Sequence, residues 1–89
     1  MSLVGKLVVS KAGRDKDKYF AVIGENEDFL LLANGRHRPI EKPKRKKEKH
    51  VEVLKSELSE SFKAVLLEGR ATNKGLYRQI KTTLNSFFD

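Results

Sequence analysis

The segment VGKLVVSKAGRDKDKYFAVI, residues 4–23, sets the architecture of this chain. Leu3–Val9 is largely apolar and Tyr19–Gly24 is aromatic and β-branched, and both compositions favour β-strands. Between them, Ser10–Lys18 is polar, charged and interrupted by one glycine, a pattern typical of a solvated loop. The sequence therefore predicts two strands joined by a charged loop.

Two more strands are predicted around the Asn-Gly dipeptide at positions 34–35. Phe29–Ala33 is a short apolar run between turn residues, and its length favours a strand over a helix. Asn-Gly favours a two-residue type I′ hairpin turn, so we expect Arg36–Ile40 to return antiparallel. This strand should lie at an edge, because its proline cannot donate to a ladder. Val51–Leu54 supplies a fifth strand that would close a small barrel.

Two amphipathic helices are predicted in the C-terminal part of the chain, at about residues 57–68 and about 74–87. Their apolar stripes consist of Leu58, Phe62, Val65 and Leu66 in the first helix, and of Leu76, Ile80, Leu84, Phe87 and Phe88 in the second. Because helices this short are marginal alone in water, each must pack on the other, on the barrel or on a partner. The chain thus divides into a mostly β barrel, residues 1–54, and a helical tail, residues 55–89.

The ends of the two helices carry their own signals. Ser56 is the candidate N-cap of the first helix, and Gly69 stops it. Thr72 or Asn73 is the candidate cap of the second. An apolar stripe is more often core than a binding face, but the second helix stays a candidate for contact with a partner protein.

Charge is unevenly distributed along the 89 residues, whose formal net charge is +7. Residues 1–50 hold 13 Lys and Arg against 7 Asp and Glu, a balance of +6, whereas residues 51–89 hold 6 against 5, a balance of +1. The positive field therefore belongs to the predicted barrel. Such a field attracts polyanions, with nucleic acid first and an anionic membrane surface second.

Several functional classes are excluded by residue inventory. The chain has no cysteine and only two histidines, so neither a disulfide framework nor a zinc site is expected. It lacks phosphate-cradling glycine motifs and a plausible Ser/His/Asp set, so we expect a protein that is not an enzyme and uses no cofactor. No apolar run reaches the length of a signal peptide or a membrane span, and a cytoplasmic location is the default expectation.

The segment 4–23, and most specifically SKAGRDK at residues 10–16, resembles a KOW motif. More narrowly, residues 3–54 are similar to small bacterial KOW-domain RNA-binding proteins, which resemble a KOW-containing large-subunit ribosomal protein of archaea and eukaryotes. The resemblance implies an SH3-like barrel, which the five predicted strands would form. It also implies RNA contact through the loop, at Lys11, Gly13, Arg14 and Lys16. The two short C-terminal helices, residues 55–89, lie outside the motif and inherit no function from it.

Two basic segments carry most of the predicted site. The four cations of Ser10–Lys18 could contact RNA or merely keep a loop solvated. The strip Lys42–His50 holds six cations in nine residues and would grip phosphates, unless it is only a linker or a targeting-like cluster. Arg36 and Arg38 would extend this surface from one face of a strand, and Tyr19 would stack on a base. The candidate RNA-binding residues are Lys11, Gly13, Arg14, Lys16, Lys18, Tyr19, Arg36, Arg38, Lys42, Lys44, Arg45, Lys46, Lys47 and Lys49.

The primary hypothesis is a module that binds ribosomal or other structured RNA, with no membrane and no small-molecule substrate as partner. The alternative is a protein-interaction adaptor of the translation or transcription machinery that uses the barrel and the tail. A membrane-surface role ranks third, because neither helix has a polar face rich in Lys and Arg. If about five phosphates are neutralised, log K should fall against log salt with a slope of roughly −3.5 to −4.5.

Overall fold

The computed structural model describes the backbone of residues 2–88 and the side chains of residues 2–85. Over this part of the chain, strands come first and two helices follow, as predicted. The strands are β1 (Lys6–Ser10), β2 (Tyr19–Asn26), β3 (Phe29–Ala33), β4 (Lys44–Lys47) and β5 (Val51–Glu57). A three-residue 3₁₀ helix, Glu48–His50, separates β4 from β5, and the helices are α1 (Glu60–Leu67) and α2 (Asn73–Phe88).

The strands form one antiparallel sheet in the order β4-β3-β2-β1-β5. β4 and β5 are its opposite edges and would lie at least about 19 Å apart in a flat sheet. Only the 3₁₀ helix separates them along the chain, and this link spans at most about 14 Å. The sheet is therefore curled, so that its edges approach each other. Among the described residues no ladder pairs β4 with β5, so the predicted barrel is not closed.

The curled sheet buries apolar side chains on both faces, because alternate residues of each strand point to opposite sides. The concave face holds Val8, Phe20, Val22, Leu30, Leu32 and Val51. The convex face is covered by the helical segment, and its cluster consists of Leu7, Ala21, Ala33, Leu58, Leu76 and Ile80. The helices are thus a second layer of the fold. The predicted contributions of Phe87 and Phe88 to the stripe of α2 lie outside the described side chains.

The predicted fourth strand, Arg36–Ile40, is wrong, because β4 is Lys44–Lys47, inside the basic strip. The Asn34 side chain is the cause. Its Oδ1 accepts three backbone N–H groups from the residues that follow Gly35, at 2.9–3.0 Å, and this wraps the chain into a turn. Gly35, with a φ of 78°, packs directly on the backbone of Asn73 in α2. A ten-residue loop, residues 34–43, therefore precedes β4, and it contains both Pro39 and Pro43.

The helix ends follow local chemistry with one shift from the prediction. Ser59, and not Ser56, caps α1, because β5 runs on far enough to include Ser56. The Ser59 hydroxyl accepts a backbone N–H from the first turn at 3.2 Å. Gly69 ends α1 with a φ of 74°, and the Thr72 hydroxyl caps α2, both as predicted. Over the residues that the structure describes, neither helix is both long and apolar enough to cross a membrane.

Candidate nucleic-acid interface

Lys46 lies buried between β4 and the loop that joins β1 to β2, with only 9% of its side chain exposed. Its ammonium group donates to Asp15 Oδ1 at 2.6 Å, to Ser10 Oγ at 2.7 Å and to the carbonyl oxygen of Ala12 at 2.7 Å. These bonds use all three hydrogens of the ammonium group. Lys46 is a predicted RNA contact, but its ammonium group has no hydrogen left to donate to a phosphate. We therefore exclude Lys46 from the candidate surface.

Asp15 is the acidic partner in this contact. Burial raises the pKa of Asp15, but hydrogen bonds from Lys46 and Ser10 outweigh burial, so the pKa lies below its usual value. Only 12% of the side chain is exposed, and within the described part of the chain its Oδ2 makes no hydrogen bond. At neutral pH the carboxylate and the ammonium group cancel, so the pair adds no net charge to the surface around it.

A cleft of about 350 Å³ lies between the β1–β2 loop and the β3–β4 loop, and we call it the inner cleft. Phe20 and His37 form part of its wall. Among the described residues, its only carboxylate is that of Asp15, which Lys46 neutralises. The cations that line it are Arg14, Lys18, Arg38 and Lys44. The turn around Asn34 is what brings Arg38 to this position, across from the loop that carries Arg14.

A second cleft, of about 390 Å³, runs along β4, and we call it the edge cleft. Its wall includes the backbone of Gly13, which has a φ of 84° and leaves the loop without a side chain at this point. Besides Lys46, the cations that line it are Lys44, Arg45, Lys47 and Lys49. Because Lys44 lines both clefts, they form one basic surface of seven cations: Arg14, Lys18, Arg38, Lys44, Arg45, Lys47 and Lys49.

Phe29 is a site residue that sequence reasoning missed. It opens β3 opposite Lys47 on β4, while the next outward residue, Leu31, lies opposite Arg45. Both cations therefore lie on the same face of the sheet as the Phe29 ring. The Arg45 guanidinium carbon lies 5.0 Å from the ring centre and Lys47 Nζ lies 5.9 Å from it, which is within reach of a cation–π contact. Strand alternation was the available signal, since buried Leu30 turns Phe29 outward.

Other predicted residues lie outside the basic surface. Tyr19 is half-buried against the helices and lines a separate cavity between β2 and α2. Arg36 donates to Tyr77 Oη at 2.9 Å, so it faces the helices while Arg38 faces the inner cleft. The prediction that these two arginines share one face is wrong, because their segment is a turn. Besides Arg36, the predicted cations that are exposed but line neither cleft are Lys11, Lys16 and Lys42.

The chemistry that this surface offers is electrostatic attraction of a polyanion by lysines and forked arginines. In the part of the chain that the structure describes, no three His, Asp or Glu side chains come together to hold a metal ion. A scan against protein-family models gives no match for this chain, and a search of the curated proteins gives no significant match.

Proposed function

We propose that this chain is an RNA-binding module with a KOW-type, SH3-like barrel, and that its basic surface holds ribosomal or other structured RNA. One observation carries the proposal: seven cations surround two adjoining clefts, and the only carboxylate that the described residues bring to them is neutralised by Lys46. A surface of this kind attracts a phosphate backbone at long range and gains affinity from the counterions that contact releases.

The β1–β2 loop supports the same proposal. At Gly13 the absence of a side chain lets a phosphate approach the main chain of the edge cleft. Arg14 and Lys18, from the same loop, line the inner cleft. The loop therefore borders both clefts, and contact through this loop is the role that the KOW resemblance implies for it.

A pair of triple variants tests whether the basic surface binds RNA. The test variant removes three exposed cations of the edge cleft without touching Lys46, by changing to Ala the residues Arg45, Lys47 and Lys49. The control lowers the net charge equally outside both clefts, by changing to Ala the exposed residues Lys55, Lys74 and Arg78. Binding of a ribosomal RNA fragment is measured by fluorescence anisotropy over a series of salt concentrations.

We expect the test variant to bind more weakly and to have a salt slope that is shallower by about 2 to 3, since each phosphate contact adds about 1. The control should keep the wild-type slope. Equal losses in both variants would show that net charge alone drives binding and would refute the site. A wild-type affinity that does not change with salt would refute RNA binding itself.

The cavity between β2 and α2 favours a second candidate function, a protein-interaction adaptor of the translation or transcription machinery. It has a volume of about 250 Å³, and its apolar wall consists of Tyr19, Tyr77, Ile80 and Leu84. The triple variant of the edge cleft separates the two functions. An adaptor would keep its partner protein when those cations are removed, whereas an RNA-binding module would lose affinity for RNA.

A further inference from the structure

Phe29 is an aromatic residue that the apolar core does not use. It is half-buried, and it belongs to neither of the two apolar clusters formed by the described side chains. Its ring instead lines the edge cleft, among the cations of β4. An aromatic face combined with a cationic groove is the arrangement by which proteins hold single-stranded nucleic acid.

We infer that the edge cleft binds one unpaired nucleotide, whose base stacks on Phe29 and whose flanking phosphates lie on Arg45, Lys47 and Lys49. The inference rests on the proposed function and deepens it, because it names the part of a structured RNA that this cleft recognises. Loops, bulges and ends of RNA supply such bases, since their bases can leave the stack.

Geometry favours an unpaired base over a duplex. Within a duplex both faces of a base are covered by its neighbours, so the Phe29 ring could not reach them. The cleft of about 390 Å³ lies at the small end of the range of roughly 300 to 1,000 Å³ for ligand sites, which suits one nucleotide. A duplex would touch the exposed cations Arg45 and Lys47 from outside and leave the ring uncontacted.

Phosphates have a defined place beside such a base. Arg45 and Lys47 lie on the same face of the sheet as the ring, two residues apart on β4, and Lys49 follows in the 3₁₀ helix. The cations thus form a row along one wall of the cleft. A row of this kind tracks the backbone on either side of a stacked base, and the Arg45 guanidinium plane offers a second stacking surface.

The test compares two ligands of equal length, a single-stranded oligouridine and a blunt RNA duplex, by fluorescence anisotropy. Phe29→Leu removes the ring and keeps an apolar side chain, and Phe29→Tyr restores an aromatic face. Tyr77→Leu is the matched control, because Tyr77 is also an aromatic residue beside two cations but lies outside the edge cleft. The centre of its ring lies 5.5 Å from the Arg36 guanidinium carbon and 5.7 Å from Lys81 Nζ. Thermal melts establish that each variant is folded at the assay temperature.

We expect Phe29→Leu to weaken binding of the single strand about tenfold, the loss that one stacked base supplies, and to change duplex binding less than twofold. Phe29→Tyr and Tyr77→Leu should bind the single strand within about twofold of the wild type. Unchanged single-strand binding by Phe29→Leu would overturn the inference, and so would an equal loss for both ligands, which would mean that Phe29 only positions cations. If the wild type binds neither ligand, the proposed function itself fails.

Discussion

Lys44 and Lys46 lie two positions apart in β4, and the fold uses them differently. They lie opposite Leu32 and Leu30 on β3, so both side chains leave the strand on the same, concave face. Lys44 lines the two clefts, whereas Lys46 ends on the β1–β2 loop, where three oxygen atoms accept its hydrogens. A buried ammonium group is tolerated only when it is paired and hydrogen-bonded in this way.

Asp15→Asn should destabilise the protein by about 2 kcal/mol at neutral pH, because a buried lysine loses its counter-charge while the amide keeps an acceptor at Oδ1. The pKa of Asp15 is lowered in the folded state, so its stabilising effect is present above the unfolded pKa, near the ordinary aspartate value of 3.8, and is lost as pH falls through the lower folded pKa. The difference between wild type and variant in urea unfolding should therefore be constant near neutral pH and shrink below about pH 4.

Asp17→Asn is the control for this measurement, since it makes the same chemical change in the same loop. The Asp17 side chain is exposed and the residue has a φ of 71°, a backbone region that asparagine tolerates well. Its stability should stay within about 0.5 kcal/mol of the wild type. If the two variants lose equal stability, the contact between Lys46 and Asp15 does not hold β4 to the loop.

At the level of elements, the strands that carry their own apolar pattern were predictable, and β4 was not. β1, β2, β3 and β5 overlap the predicted segments, because Val, Leu and aromatic residues at strand spacing are a local signal. β4 is KRKK, which has no apolar residue. It becomes a strand because it pairs with β3 and because Lys46 contacts Asp15, which lies 31 residues earlier in the chain. No local pattern encodes either interaction.

The β3–β4 loop was mispredicted for a similar reason. An Asn-Gly dipeptide between apolar runs is a strong hairpin signal, but it cannot report that α2 will lie against the turn. Asn73 closes the arrangement, because its Oδ1 accepts the backbone N–H of Ile40 at 2.7 Å and its Nδ2 donates to Glu41 at 2.8 Å. The position of Arg38 in the inner cleft therefore depends on a helix that follows it by more than thirty residues.

Gly35→Ala should destabilise the protein far more than the strain of placing alanine at a positive φ would by itself. A Cβ at Gly35 would lie 2.1 Å from the carbonyl oxygen of Asn73, whereas at Gly69 nothing lies within 4 Å, and both glycines have a positive φ. Gly69→Ala should thus cost about 1 to 2 kcal/mol, the backbone penalty alone. In thermal melts, we expect Gly35→Ala to lower Tm by at least twice as much. Equal Tm shifts in the two variants would show that the contact between this turn and α2 does not stabilise the protein.

Across the whole molecule, the predicted tail is part of the core. The Cα radius of gyration is 11.7 Å, close to the roughly 12 Å expected for a compact globule of this length. Leu76 and Ile80 of α2 are buried against Leu7, Ala21 and Ala33 of the sheet. The convex face of the sheet would otherwise be an exposed apolar surface.

Leu76→Ala therefore tests whether the sheet and the helices unfold as one unit. Leu76 is fully buried, so truncation should cost about 3 kcal/mol, whereas Leu67→Ala, at a residue that is 76% exposed, should cost less than about 0.5 kcal/mol. In native-state hydrogen exchange, amides of β1 and β2 should lose protection together with those of α2, because the same cluster stabilises both layers. Sheet amides that kept wild-type protection in Leu76→Ala would instead show that the curled sheet is stable by itself, with the helices as a true tail.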